Sequence, residues 1–73
     1  MPKTTKQTLK TLGKKIQKLR KEKGLSQEEF AGQLHISRNY MGFIEQNRET
    51  PSLKLLIKIA RRLNVKVEDL FHQ

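Results

Sequence analysis

Three observations predict an all-α fold, a compact five-helix domain built around a central helix-turn-helix. Ser26-Gln27-Glu28-Glu29 reads as an S-x-x-E capping box, and Ser37 can cap a second short helix eleven positions later. Apolar or small residues recur at helical spacing, first at Leu9, Leu12, Ile16 and Leu19, then at Phe30, Ala31, Leu34, Met41 and Ile44, and again from Leu53 to Leu63. Gly24 stands where a left-handed residue would end the first helix, and Asn64 can end the fourth. The two short central helices cannot bury themselves, so the flanking chain must supply the core.

Residues 1–7 are polar and basic and read as a flexible arm, either disordered or following a phosphate backbone or minor groove; residues 8–73 form the domain. Helix 1 starts at Thr8, or nearer Leu12 because Gly13 weakens a helix interior by about 1 kcal/mol, and carries lysines outside its apolar stripe. In helix 2, Phe30 and Leu34 point inward, and Ala31 is small where two helices must approach. His35 occupies the turn, where a positive φ is expected; a metal role is disfavoured because its only fellow histidine is His72 and cysteine is absent.

With Met41 and Ile44 inward, Ser37, Arg38, Asn39, Gly42 and Phe43 fall on the outer side or N-terminus of helix 3. Gly42 would let the helix seat close to a bound surface. Asn47 suits a left-handed cap before the loop to Pro51. Helix 4 starts after Ser52, with Leu53, Leu56, Ile57, Ala60 and Leu63 as its core stripe and Lys58, Arg61 and Arg62 complementing its dipole. A short fifth helix spans Val65 to Phe71, with Glu68 and Asp69 in its first turn. Leu55, Ile59, Leu70 and Phe71 either form a dimer surface or close the monomer core.

The chain has 73 residues and no cysteine, which fits one small domain without disulfides, in a reducing compartment. So small a core favours dimerisation as a supplement. No apolar run approaches the ~18 residues of a membrane span, and the N-terminus lacks a signal peptide's apolar segment, so the expected location is the cytoplasm. Net charge is +9, and residues 1–24 hold nine Lys or Arg against one Glu, whereas the rest is nearly balanced. That field favours a polyanion, or is merely a solvated lysine face. No glycine-rich phosphate loop, catalytic constellation or cofactor site can be assembled, so no enzyme activity, metal or cofactor is expected.

Gln27, Phe30-Ala31, Leu34, Ile36, Met41 and Ile44-Glu45 together resemble the phage repressor and Cro family of XRE-like regulators. The resemblance extends through Leu19-Arg20, Gly24-Leu25-Ser26, Pro51-Ser52-Leu53, Leu56-Ile57, Ala60, Leu63, Val65 and Leu70-Phe71. It implies a lambda-repressor-like fold whose third helix meets bases in the major groove of double-stranded DNA. Ser37, Arg38, Asn39 and Phe43 are then the expected base contacts. Arg can bond a guanine edge, Asn an adenine edge, and Phe can touch a thymine methyl; Phe43 otherwise packs on helix 4. Gln27, Tyr40, Arg48 and Lys14 are the expected phosphate contacts. The family pairs a Glu at position 45 with an Arg at position 20, so Arg20–Glu45 is the expected structural ion pair. His35 and Asn47 replace glycines usual in the family, and Glu49 replaces a residue that is often basic.

The function so implied is a sequence-specific transcriptional regulator binding palindromic operators as a homodimer, with no small-molecule ligand and no membrane. The chain would be encoded by a bacterium, phage or mobile element and associate with the nucleoid. Standalone domains of this kind resemble restriction-modification controllers, where Arg and Tyr flank one residue as in Arg38-Asn39-Tyr40, and equally resemble small phage repressors. The alternatives are a DNA-binding antitoxin, or an adaptor that binds protein through helices 4 and 5 with an incidental basic face.

Overall fold

The computed structural model describes residues Thr5–His72, with side chains from Thr11 onward. Four helices follow in order, α1 Thr5–Glu22, α2 Gln27–Leu34, α3 Arg38–Glu45 and α4 Leu53–Leu63, and a 3-10 turn at Val67–Phe71 stands where a fifth helix is expected. No strand occurs among the described residues.

The starts of α2, α3 and α4 and several helix ends have local causes. The Ser26 hydroxyl accepts the Glu29 N–H at 3.0 Å while the Glu29 carboxylate accepts the Ser26 N–H at 2.9 Å, completing the capping box of α2. Ser37 and Ser52 accept the N–H groups of Tyr40 and Leu55 in the same way. Gly24, His35 and Asn64 reverse the chain after α1, α2 and α4 with φ of 72°, 59° and 60°. Asn47, at φ 63°, lies two residues beyond the end of α3. Lys58 reaches across from α4 and donates to the Leu34 carbonyl at 3.3 Å, tying the end of α2 to α4.

The core is one cluster. Ile16 of α1, Phe30 and Leu34 of α2, Met41 and Ile44 of α3, Ile59 and Leu63 of α4, and Leu70 are all buried in it. Burying a side chain of this size contributes roughly 1.5–3 kcal/mol. The helix-turn-helix therefore rests on α1 and α4 rather than on itself.

Three expectations are corrected here. First, α1 begins at Thr5, so 5–7 belong to it, while the rest of the expected arm lies outside the described residues. Gly13 does not set the helix start, because it is where α1 crosses the end of α3. A Cβ there would lie 2.5 Å from Asn47 Oδ1 and 2.7 Å from the Glu45 and Ile44 carbonyl oxygens. Second, α4 is rotated from the expected phase. Leu55, Leu56, Ile59, Ala60 and Leu63 are buried, whereas Leu53 is 67% and Ile57 39% exposed. At about 100° per residue the buried set spans one continuous arc, and Leu53 and Ile57 fall beyond its edge. Third, Leu55, Ile59 and Leu70 close the monomer core and cannot form a dimer surface; Phe71 is half-buried against that core.

Candidate nucleic-acid interface

A buried polar cluster sets the position of α3. The Arg20 guanidinium grips the Glu45 carboxylate bidentately, Nε to Oε2 at 2.6 Å and Nη2 to Oε1 at 3.0 Å. Its Nη1 donates to the Leu25 carbonyl at 2.6 Å, and the Gln27 amide donates to Glu45 Oε1 at 2.9 Å. The side chains of Arg20 and Glu45 are only 6% and 1% exposed. Every buried side-chain nitrogen and oxygen among the described residues has a partner, which two charges at this depth require. One cluster thus fastens α3 to α1, to the start of α2 and to the chain between them.

On the opposite side α3 is bare. Arg38, Asn39, Phe43 and Gln46 are exposed, and Asn39, Phe43 and Gln46 follow one another at helical spacing along a single ridge. Ser37 is exposed at the helix start; its oxygen caps Tyr40, leaving the hydroxyl hydrogen free to donate. Tyr40 is half-buried, with its ring packed against the core. The Arg48 guanidinium lies over the Phe43 ring, 5.1 Å from its centroid. Arg48 therefore leans on α3 instead of extending freely.

Gly42 departs from the expected outward position. It is buried, and a Cβ built on it would face the Gln27 amide at 3.8 and 3.9 Å. Gln27 itself is half-buried with its side-chain nitrogen committed to Glu45. Its backbone N–H, with that of Glu28, opens α2 at the positive end of the helix dipole. Lys14, Lys18 and Lys21 stand exposed on α1, away from the contact that Gly13 and Arg20 make with α3.

The fold has counterparts among known proteins. The helix-turn-helix family HTH_3 matches residues 16–70. The chain belongs to this family. The control protein C.MunI of a Mycoplasma species is 45% identical over 60 residues, covering 81% of this chain and 81% of its own. The restriction-modification controller C.AhdI of Aeromonas hydrophila superposes with a TM-score of 0.80 at 34% identity, covering 89% of this chain and 97% of its own. The biofilm regulator SinR, solved in complex with DNA, gives a TM-score of 0.75 at 38% identity, covering 81% of this chain and 95% of its own.

Membership in HTH_3 accounts for the architecture, and the structure adds residues that the motif alone does not point to. Gln46 belongs to the outer ridge; its spacing from Asn39 was the available signal, obscured by its place at the helix end. The Arg48–Phe43 stack joins two residues that sequence reasoning treated separately. Gln27 joins the buried anchor as well as the surface, so the start of α2 and α3 are held by one side chain. No helix among the described residues is long and apolar enough to cross a membrane, and none of their His, Asp and Glu side chains cluster as a metal site.

Proposed function

We propose that this chain is a sequence-specific transcriptional regulator that binds palindromic operators in double-stranded DNA as a homodimer, with α3 in the major groove. The bare ridge of α3, held from behind by the Arg20–Glu45 pair, carries this reading. Base edges fall to Ser37, Arg38, Asn39 and Phe43, where a bidentate Arg–guanine or Asn–adenine pair discriminates by about 1–3 kcal/mol. Phosphates fall to the N–H groups opening α2 at Gln27, to the Tyr40 hydroxyl and to Lys14. Dimerisation falls to the exposed Leu53 and Ile57 of α4, apolar surface with no place in the monomer core. Two copies so joined would present their α3 helices to half-sites about one DNA turn apart. SinR, a relative of this chain, has been solved with DNA, which supports the same use of the motif here. The expected setting is the cytoplasm of a bacterium, with protein concentration rather than a small molecule governing occupancy.

The test is comparative. Arg38→Ala should cost about 1–3 kcal/mol on the cognate duplex and relax base preference, whereas Lys14→Ala should weaken all duplexes alike. Equal losses on cognate and random duplexes for Arg38→Ala would overturn the assignment. Sedimentation of Leu53→Asp/Ile57→Asp examines the dimer: a shift to monomer at concentrations where the parent chain is dimeric is expected, and an unchanged mass contradicts that surface.

A further inference from the structure

The loop after α3 folds back on Phe43 through three contacts. The Arg48 N–H donates to the Phe43 carbonyl at 2.8 Å, and the Glu49 N–H donates to the same oxygen at 3.3 Å. The left-handed conformation of Asn47 makes this reversal possible. Above the backbone, the Arg48 guanidinium covers the Phe43 ring. Phe43 is nevertheless 38% exposed on the α3 ridge, one turn beyond Asn39. Among the described residues the Arg48 side chain has no hydrogen-bond acceptor, and Glu49 meets the unit only through its backbone. A large apolar ring is thus held out on a polar helix face, next to an arginine whose N–H edge is unengaged.

We infer that Phe43 and Arg48 act as one reader of a pyrimidine 5-methyl group lying beside a guanine. Both thymine and 5-methylcytosine present that methyl at the same place in the major groove, and a phenyl ring is an apolar partner for it. Arg48, kept close by its stack on the ring, brings a planar fork suited to the O6 and N7 of the neighbouring guanine. This gives Arg48 a specificity role in place of the phosphate clamp that its loop position suggests. The inference rests on the DNA-reading role of α3 and names the chemical group that one part of the ridge selects. Cytosine methylation would then tune occupancy directly.

The experiment uses the full chain and the duplex it selects from a random pool. Each thymine is replaced in turn by deoxyuridine, removing only the methyl, and in a parallel arm each cytosine is replaced by 5-methylcytosine. At one guanine-flanked position per half-site, the parent chain should prefer the methylated base by about four-fold, the factor that burial of one such group supplies. A response in the thymine arm identifies thymine as the source, and one in the cytosine arm identifies 5-methylcytosine. Phe43→Ala should bind both forms equally, and Arg48→Lys should keep the charge yet lose preference for the adjoining guanine. The same methyl preference in Phe43→Ala, or no preference anywhere in the parent chain, overturns the inference while leaving a selected operator intact. Failure to select any sequence would instead remove the DNA-reading role beneath it.

Discussion

Replacing Glu45 with alanine should be among the most damaging single changes available to this fold. The substitution removes the acceptor of three hydrogen bonds, two from Arg20 and one from Gln27. Arg20, with its side chain 6% exposed, keeps only the Leu25 carbonyl. Stranding one charge of a buried pair costs about 3–5 kcal/mol. A domain of this length has roughly 4–11 kcal/mol of stability in total, at about 0.05–0.15 kcal/mol per residue. The variant should therefore lose much of its folding free energy, and its melting temperature should fall by roughly 12–40 °C at about 4–8 °C per kcal/mol. Urea unfolding followed by circular dichroism measures the loss at fixed temperature. Arg20→Met/Glu45→Leu should be milder than either single change, because it removes both charges together and fills the space with apolar atoms. A loss below about 0.5 kcal/mol for Glu45→Ala would refute the view that the pair anchors α3, since only solvated charges are so cheaply removed.

Other consequences concern the backbone and the caps. Gly13→Ala should destabilise by about 1–3 kcal/mol although alanine favours helices, because the added methyl meets carbonyl oxygens of the α3 end; thermal melts check the sign. His35→Gly should raise stability by up to about 1 kcal/mol in urea titrations, since His35 sits exposed at φ 59° and glycine adopts that conformation without strain. Glu29 titrates below the ordinary glutamate range, because the Ser26 N–H and then its hydroxyl favour the charged carboxylate. Its capping contribution is therefore present at neutral pH and disappears as pH falls through that depressed pKa; NMR titration of the Glu29 carboxyl should give a midpoint below the ordinary value, and Glu29→Ala should flatten the acid limb of the stability profile.

Much of the architecture is legible in the sequence because caps and periodicity are local. Ser26 with Glu29, Ser37 and Ser52 mark helix starts through bonds spanning three residues, and Gly24 and Asn64 mark stops through conformations that few residues adopt. The phase of α4 was not legible. Leu53, Leu55, Leu56, Ile57 and Ile59 crowd more apolar residues into two turns than one face can bury, so two registers satisfy the pattern equally. Only the neighbours, α1, α2 and the turn at Val67–Phe71, decide which leucines enter the core. Gly13 was misread for a related reason. Helix propensity is a property of one segment, whereas the value of a missing Cβ depends on Asn47, thirty-four positions away.

The candidate interface divides along the same line. The bare ridge of α3 follows from the inward placement of Met41 and Ile44, which the helical period supplies. Residue types alone left Arg20 and Glu45 as two charges twenty-five positions apart, and resemblance to a family was needed to suggest a pair. The outward view of Gly42 failed because the face between ridge and core is narrow. There the partner is Gln27, a residue that the same reading assigned to phosphate. The Arg48–Phe43 stack depends on the turn geometry at Asn47, and no periodicity announces a loop residue's side-chain direction.

Selection of binding sites from a randomised duplex pool, with the winners' affinities followed against salt, decides whether the α3 ridge reads sequence. A dimeric sequence-reading regulator should give two matching half-sites centred near an integral number of turns apart, a steep salt slope, and a preference above about 1000-fold over random sequence. Salt-sensitive binding with no enriched sequence would contradict it, leaving a basic surface that attracts DNA without reading it.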